Sequence, residues 1–419
     1  MDRFLVRPSG PLSGTVTVSG AKNSVLKLMA ATVLAEGEFV LRNVPHIADV
    51  EIMCDLLVSM GVDTRRSGDE LRIIRRSDLV PEAPYELVEQ MRASIVVLGP
   101  LLARFGRARV SMPGGDNFGV RPIDMHLRGL ELMGATFETE HGYIEARCPD
   151  RLTGTRIVLE FPSHTATDNL LMASVLAKGT TVIENAAREP EVADLAAMLN
   201  RMGARIAGAG SSTIEVDGVD ELHAVEHAVI PDRIEAATWV AAVAIAGGEV
   251  TIEGARPDHM DMIVQKMGDM GVRVAPSSSG LWATGRGRLR SADVATLPYP
   301  GIATDYKPLL VAMLAVADGV AIVTENIFRD NRFAYVAELN RMGADIRTDS
   351  HHAVVRGVSR LSGARVKAHD LRAGVALCLG GLVADGETIV EDAHHIDRGY
   401  EDFGGKLRRL GADIERQRD

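Results

Sequence analysis

The chain has 419 residues, more than one hydrophobic core usually serves, so two domains are expected. Its composition, with 46% hydrophobic and 25% charged residues, is that of an ordinary globular protein. The formal net charge of −11 argues against broad nucleic-acid binding, which requires a surplus of Lys and Arg. A locally basic site for a small anion remains compatible with this charge.

Cysteine usage and the apolar stretches indicate the compartment. Cys54, Cys148 and Cys378 lie far apart and form no C-x-x-C pair, which argues against a disulfide framework or a thiolate zinc site. The N-terminal segment lacks the apolar core of a signal peptide, and no apolar stretch approaches the length of a membrane span. We therefore expect a cytoplasmic protein without a membrane partner.

A hydrophobic–Gly–Ala/Val phrase recurs along the chain at intervals of 68 to 73 residues. Its glycines are Gly61, Gly134, Gly203, Gly271, Gly343 and Gly411. Each phrase follows apolar residues at helical spacing and precedes a short β-leaning segment. The phrase predicts a helix stopped by a C-terminal glycine and followed by a strand.

A second glycine phrase has the same period. It contains Gly37, Gly179, Gly248, Gly319 and Gly386, and Gly106 stands at the corresponding place in the second repeat. This phrase predicts an apolar helix that ends at the glycine, followed by a strand, so each repeat has two helices and about four strands. Two sets of three repeats would form two similar domains, and one elongated repeat protein is the alternative.

The first of several charged and glycine-rich segments is Ser19 to Ser24, which opens an apolar helix. Lys22 at this helix start opposes the helix dipole, a choice that suits a bound anion, although a solvated lysine is slightly favoured on this segment alone. The next such segment, Met112 to His126, carries Asp116 and Arg121 among three glycines. It predicts a loop that folds over a ligand, with a plain surface turn as the alternative.

Four further segments carry charge: 187–191, 231–235, 302–307 and 395–400. None is specific alone, and the first two are read equally well as structural ion pairs at helix starts. Together the segments hold cations and carboxylates: Lys22, Arg92, Arg121, Arg398, Asp116 and Asp305. A reaction between an anionic phosphate compound and a hydroxyl needs such a set, because cations bind the anion while acids and bases move protons.

Eight phrases in order closely resemble the UDP-N-acetylglucosamine 1-carboxyvinyltransferase family of enolpyruvyl transferases, from Arg3 to about Glu415. They are SGAKNS, MRASIVVLGP, PGGDNFGVRPIDMH, IENAAREPE, PDRIEAAT, TDYKP, DLRAG and HIDRGY. The resemblance implies an α/β fold of two inside-out barrel domains, each built from three repeats. One domain would comprise 22–230 with the mobile loop around Asp116, the other 1–21 and 231–419, with the active site in the cleft between them.

The resemblance also implies an activity: transfer of the enolpyruvyl group of phosphoenolpyruvate to the 3-hydroxyl of UDP-N-acetylglucosamine, the first committed step of peptidoglycan synthesis. No metal or organic cofactor and no nucleic-acid partner is implied. Lys22, Arg121 and Arg398 would hold phosphoenolpyruvate, Asn23 would lie at the reacting centre, and Asp305 would be the base. Further substrate-binding positions would be Arg92, Pro122, Ile123, Asp124, Met125, Phe161, Pro162, Ser163, His164, Ile327, Arg332, Asp370 and Arg372.

Three departures from the family pattern stand out, and the third is that Phe328 to Phe333 is one residue longer than the usual Phe-Glu-Asn-Arg-Phe next to the sugar. Many members carry cysteine where this chain has Asp116, which can serve as proton donor only if its pKa is raised. The missing thiol predicts insensitivity to fosfomycin, which alkylates that cysteine. Ser163-His164-Thr165 replaces the common Ser-Val-Gly beside the uridine, and a buried, satisfied histidine is the alternative role for His164.

These departures leave two other functions open. One is enolpyruvyl transfer to a different nucleotide acceptor, which the substitutions at His164 and Thr165 favour. The other is a catalytically silent paralogue that binds sugar nucleotide and regulates. Retention of Lys22, Asn23, Asp305 and Arg398 argues against the silent paralogue, because an idle site has no physical need for that set.

Overall fold

The computed structural model describes residues 2–112, 123–328 and 332–418. These residues fall into two compact units. The middle unit comprises the described residues from Gly20 to Ile230, and the terminal unit combines the chain up to Ser19 with the chain from Pro231 onward. Within the described ranges, no helix is both long enough and apolar enough to cross a bilayer.

The helices of the middle unit are α1 Lys22–Ala31, α2 Ala48–Ser59, α3 Tyr85–Val88, α4 Leu98–Phe105, α5 Asp124–Leu132, α6 His164–Ser174 and α7 Pro190–Arg201. Those of the terminal unit are α8 Arg233–Ala246, α9 Asp261–Asp269, α10 Lys307–Ala315, α11 Val336–Arg341, α12 Leu371–Gly381 and α13 Phe403–Arg409. Short 3₁₀ turns occupy Thr32–Leu34, Arg92–Val97, Pro257–His259, Thr304–Tyr306 and Ala393–Arg398.

Each unit contains three four-stranded sheets, in which the first two strands pair in parallel and the others antiparallel. In the middle unit the orders are Glu226–Ala228, Gly37–Arg42, Glu70–Arg75, Asp63–Ser67; Glu82–Ala83, Arg107–Ser111, Tyr143–Arg147, Thr136–Glu140; and Arg156–Val158, Thr180–Glu184, Thr213–Asp217, Arg205–Ala207. In the terminal unit they are Leu12–Thr17, Gly248–Glu253, Gly280–Gly285, Arg273–Ser277; Val294–Ala295, Val320–Thr324, His352–Arg356, Asp345–Asp349; and Arg365–Lys367, Thr388–Glu391, Asp2–Val6, Ile414–Arg418. Leu361–Ser362 and Ala384–Asp385 form a small parallel pair.

The glycines of the first repeated phrase end helices as predicted. One helix stops just before each of these glycines, namely α2, α5, α7, α9, α11 and α13. The φ angles of the six glycines lie between 85° and 108°. Residues with a Cβ atom adopt this left-handed region only at a cost, which explains why glycine recurs there. A strand follows each glycine, so two helices and about four strands per repeat are confirmed.

The prediction that apolar helices end at the glycines of the second phrase is wrong in most repeats. Helix α6 stops at Ser174, before Gly179, and α12 stops at Gly381, before Gly386. The residue before each of these glycines forms a parallel bridge, Lys178 with Thr153 and Asp385 with Ser362. Because extended backbone is needed for such pairing, the helix has to end earlier.

Both units place helices inside and sheets outside. Every residue of α10 is buried, and so is the whole of α12. The sheets expose one face, where Val320 is 52% and Ile322 49% accessible. Full burial of one Leu or Val side chain contributes about 1.5–3 kcal/mol, so the apolar residues of these two helices supply much of the core of the terminal unit. This is the inside-out arrangement of helices and sheets that was expected.

Candidate functional site

A cavity in the terminal unit gathers several of the predicted substrate-binding residues. Its lining comprises Thr304, Asp305, Lys307, Pro308, Arg332, Ala334, Tyr335, His369, Asp370 and Arg372. Cationic and anionic side chains therefore converge on one small volume. Such a set can bind an anionic group and also accept a proton.

The first turns of two buried helices build this cavity. Asp305 belongs to the 3₁₀ turn that leads into α10, and Asp370 caps α12 by accepting hydrogen bonds from the backbone N–H groups of Arg372 and Ala373, each at 2.8 Å. Arg372 Nη2 lies 3.4 Å from Asp305 Oδ2. Helix N-termini carry partial positive charge, so both helices add to the attraction for an anion.

Glu325 contacts two residues that line the cavity, Thr304 and Lys307. Its carboxylate accepts hydrogen bonds from the hydroxyls of Thr296 and Thr304, each at 2.8 Å, and from the backbone N–H of Ile327 at 2.9 Å. Burial would raise the pKa of Glu325, but Lys307 and the two threonine hydroxyls lower it further, and the net direction is downward. Glu325 therefore stays ionised and fixes the segment that carries Ile327.

For two cations of the cavity, Lys307 and Arg332, burial and nearby carboxylates shift the pKa in opposite directions. Lys307 Nζ lies 2.7 Å from Glu325 Oε2 and 4.0 Å from the centre of the Phe333 ring. Burial lowers the pKa of Lys307 to about 8, against the opposing effect of Glu325. Burial also lowers the pKa of Arg332, whose guanidinium lies 4.0 Å above the ring of Phe328.

In the middle unit, Lys22 and Asn23 form the first turn of α1. Lys22 Nζ lies 2.9 Å from Asp49 Oδ2, and Asp49 is buried in the first turn of α2. The carbonyl of Asn23 accepts a hydrogen bond from Lys27 Nζ. The helix thus begins as predicted, and the charge that opposes its dipole has a carboxylate beside it.

Arg92 begins a 3₁₀ turn, and the buried His126 interacts electrostatically with it. Burial lowers the pKa of Arg92 to about 10; burial together with the charge of Arg92 lowers that of His126 to about 3. Asn169 Nδ2 lies 3.0 Å from His126 Nδ1, so we assign the ring proton to Nε2, which is 3.4 Å from Thr165 Oγ1. A neutral histidine therefore anchors Thr165.

The segment Phe161–His164 leads into α6 and is partly buried. Ser163 caps this helix by accepting a hydrogen bond from Ala166 N at 3.4 Å. His164 Nε2 lies 3.4 Å from Asp168 Oδ2, one helical turn further on. The segment, including Pro162, is thus held by its own helix.

The other predicted residues lie in separate places. The buried Ile123 precedes α5, whose first residues Asp124 and Met125 line a shallow hollow beside the strand Arg156–Val158. Arg398 ends the 3₁₀ turn Ala393–Arg398. Asp116, Arg121 and Pro122 lie outside the described residues.

The structure thus brings Asp305, Arg332, Asp370 and Arg372 to one cavity and places Lys22 with Asn23 on one helix turn. Sequence reasoning missed five side chains around these residues: Lys307, Glu325, Tyr335, His126 and Asp168. Glu325 follows directly on an apolar strand, and Lys307 opens a helix that is otherwise apolar. A charge in an apolar context is the signal that would have found both.

Over the described ranges, no group of three or more His, Cys, Asp or Glu side chains could hold a metal ion. The arrangement is instead one of cations and single carboxylates. Its chemistry is anion binding and proton transfer.

Comparison with known proteins defines the class. Residues 6–407 match the family described as EPSP synthase (3-phosphoshikimate 1-carboxyvinyltransferase). The structure of the enolpyruvyl transferase NikO from Streptomyces tendae superposes with a TM-score of 0.88 at 26% identity over 99% of both chains. EPSP synthase from Acinetobacter baumannii gives 0.75 at 20% identity over the full length of both, a likeness of fold alone. The predicted enolpyruvyl transferase fold is confirmed.

Curated relatives narrow the class. A protein of Symbiobacterium thermophilum named UDP-N-acetylglucosamine 1-carboxyvinyltransferase 1 is 52% identical over 99% of this chain and 95% of its own. UDP-N-acetylglucosamine 1-carboxyvinyltransferases of Gluconobacter oxydans and Mycobacterium bovis are each 50% identical over at least 99% of both chains. The chain belongs to the UDP-N-acetylglucosamine 1-carboxyvinyltransferase family.

Proposed function

We propose that this chain transfers the enolpyruvyl group of phosphoenolpyruvate to the 3-hydroxyl of UDP-N-acetylglucosamine and releases phosphate. The observation that carries the proposal is identity of about half over nearly the whole chain with relatives named for this reaction. The charged cavity around Asp305 supports it, because it offers a carboxylate beside cations. The reaction is the first committed step of peptidoglycan synthesis, and we place it in the cytoplasm.

The reaction balances in two steps. First, the sugar oxygen bonds to C2 of phosphoenolpyruvate, the hydroxyl proton passes to a base, and C3 gains a proton from an acid. The tetrahedral adduct then loses phosphate from C2 and a proton from C3, which restores the double bond. Each step needs one acid and one base near the carbon skeleton, and cations that bind the phosphate and the carboxylate.

We assign the base to Asp305. Arg372 lies 3.4 Å from its Oδ2 and favours the ionised carboxylate, the form that accepts the hydroxyl proton. Arg332 and Lys307 line the same cavity and add positive charge near the sugar nucleotide. Ile327, whose backbone is fixed by Glu325, belongs to the same binding surface.

We assign the binding of phosphoenolpyruvate to Lys22, Arg121 and Arg398, with Asn23 at the reacting centre. Lys22 already pairs with Asp49 at 2.9 Å, so the ammonium group is held in place before an anion arrives. We assign proton donation to Asp116, which takes the place of the family's common cysteine. This role requires a raised pKa, so that a protonated fraction persists near neutrality.

We assign two groups of residues to the binding of the sugar nucleotide. In the middle unit they are Arg92, Ile123, Asp124, Met125 and the segment Phe161–His164. In the terminal unit they are Asp370 and the cavity residues named above. The two alternative functions lose support, because relatives of about 50% identity are named as transferases that act on UDP-N-acetylglucosamine.

Phosphate release from phosphoenolpyruvate, with and without UDP-N-acetylglucosamine, tests the proposal. We expect release only with the sugar nucleotide, and a fall in kcat of about 10²- to 10⁴-fold in Asp305→Asn, the usual contribution of a general base. Asp258→Asn is the matched control, because Asp258 is an exposed carboxylate paired with Arg256 in the same unit. Equal activity of the two variants would rule out Asp305 as base, and no release by the wild type would rule out the reaction.

A further inference from the structure

Asp168 is a charged side chain of the middle unit that the mechanism above does not use. It lies in α6, among apolar neighbours that are themselves fully buried, and is 0% exposed. A carboxylate in such surroundings is costly unless a cation or several hydrogen bonds compensate it. Its neighbours therefore show what the residue is for.

Two basic side chains lie within 4 Å of Asp168, one lysine and one histidine. Lys27 Nζ of α1 lies 3.8 Å from Asp168 Oδ2, and His164 Nε2 lies 3.4 Å from the same oxygen. Over the described ranges, neither oxygen of Asp168 has a hydrogen bond of good geometry. The cluster is held by contacts between charges at 3.4 and 3.8 Å, and contacts of this kind commonly tighten when a ligand binds.

Both neighbours lead to residues proposed to bind substrate. His164 belongs to the sugar-nucleotide segment and is 20% exposed, so its ring reaches the surface of that segment. Lys27 is buried, and its ammonium group donates a hydrogen bond to the carbonyl of Asn23 in the first turn of α1. One carboxylate therefore stands between the nucleotide segment and the helix turn that carries Lys22 and Asn23.

We propose that Asp168 is a positioning residue: it orients His164 toward the sugar nucleotide and, through Lys27, links that segment to the first turn of α1. The proposal rests on the function proposed above and deepens it. Binding of the nucleotide at His164 shortens the contacts of Asp168, and the ordering of Lys27 prepares the Asn23 turn for phosphoenolpyruvate. The pair His164–Asp168 thereby contributes to the choice of acceptor in this chain.

The charge state of Asp168 makes this role dependent on pH. Burial raises its pKa to about 7; Glu189 and Glu191 at the start of α7 act in the same direction, while Lys27 opposes them. Besides Asp168, the charged groups near Lys27 are Glu191, Lys22 and Glu189. Below pH 7 the carboxyl gains a proton and loses its hold on both neighbours, so the affinity for the sugar nucleotide falls.

Calorimetric titration with UDP-N-acetylglucosamine at pH 6 and pH 8.5 tests the proposal on the full chain. We expect wild type to bind several-fold more weakly at pH 6. Asp168→Asn should bind about tenfold more weakly than wild type at pH 8.5, the loss expected for one oriented charged contact, and equally at both pH values. His164→Val should show the same loss, and the double variant should be no worse than either single variant.

The KM for phosphoenolpyruvate separates the two arms of the cluster. Asp168→Asn should raise it most, because Lys27 loses this carboxylate, whereas His164→Val should raise it less, because the contact between Lys27 and Asp168 remains. Glu235→Gln is the control, since it removes the charge of another fully buried carboxylate, paired with Lys406 at 2.5 Å in the terminal unit. It should alter thermal stability without changing the pH dependence of nucleotide binding.

Additive losses in the double variant, or an unchanged pH dependence in a folded Asp168→Asn protein, would overturn the proposal. So would an equal effect of Glu235→Gln. The titration measures binding without turnover. If wild type binds the nucleotide but releases no phosphate, the proposed reaction fails while the role of Asp168 is still decided.

Discussion

Removing the charge of Glu325 should destabilise the terminal unit, and by an amount that depends on pH. In Glu325→Gln, the ammonium group of Lys307 stays buried, 1% exposed, without its carboxylate. Loss of one partner of a buried ion pair typically costs about 3–5 kcal/mol. Lys307 has a way to reduce that cost, because its pKa is already lowered to about 8 and it can release the proton.

The magnitude follows from this pKa. At pH 7 the neutral form of Lys307 lies about one pKa unit, about 1.4 kcal/mol, above the charged form, which limits the electrostatic loss to about that value. The weakened hydrogen bonds from Thr296, Thr304 and Ile327 add about 1–3 kcal/mol. We therefore expect a loss of about 2–4 kcal/mol at pH 7.

The sign of the pH dependence is fixed by the lowered pKa. A lysine with a folded pKa below its unfolded value penalises the folded state as pH falls, and in wild type this penalty stops growing below pH 8. In the variant the folded pKa is lower still, so the penalty keeps growing by about 1.4 kcal/mol per pH unit. The difference between wild type and variant is thus larger at pH 6 than at pH 8.5.

Guanidinium unfolding followed by tryptophan fluorescence measures this loss in the right unit, because the two tryptophans of the chain, Trp239 and Trp282, both belong to the terminal unit. Glu249→Gln, on an exposed strand position, is the matched control. Equal destabilisation by Glu325→Gln at pH 6 and pH 8.5 would show that Lys307 keeps its proton and would refute the reasoning.

Two other predictions follow from close packing and from the sequence. Gly20→Ala should lower the free energy of unfolding by about 3 kcal/mol or more, because the new Cβ would lie 1.8 Å from the carbonyl oxygen of Asn43. Gly268→Ala in α9 should raise it by about 0.5–1 kcal/mol, because nothing lies within 4 Å of the new Cβ. Thermal melts that rank the two variants the other way would contradict this prediction. In the presence of fosfomycin, wild type should retain its activity, whereas Asp116→Cys should be inactivated with time. An adduct on Asp116 of wild type, detected by mass spectrometry, would show this prediction to be wrong.

The repeats were predictable because they rest on local physics. A glycine with φ near 100° at the end of an amphipathic helix, as at Gly61 or Gly203, leaves a signature in neighbouring residues alone. The early ends of α6 and α12 were not predictable in this way. They depend on parallel bridges such as Lys178 with Thr153, whose partners are distant in sequence, and no short window contains both strands.

The residues of the candidate site likewise fall into those that the sequence predicted and those that only the structure shows. Asp305 and Asp370 were found because their motifs resemble those of a known family. Glu325 and Asp168 were missed because an acid beside apolar residues indicates burial without naming its partner, and only the structure shows the lysine that faces each of them. For Asp168 the sequence did contain a signal, since His164 precedes it at the spacing of one helical turn.

The inside-out fold explains why these charges lie where they do. Because the central helices are buried along their length, chemistry is confined to their ends, and the N-terminal ends also attract anions. Lys22 opens α1, Lys307 opens α10, and Arg372 follows the cap of α12. Each charge there is partly withdrawn from water, so each has a carboxylate within 4 Å, namely Asp49, Glu325 and Asp305. The Glu325 variant measures what one such pair contributes to stability.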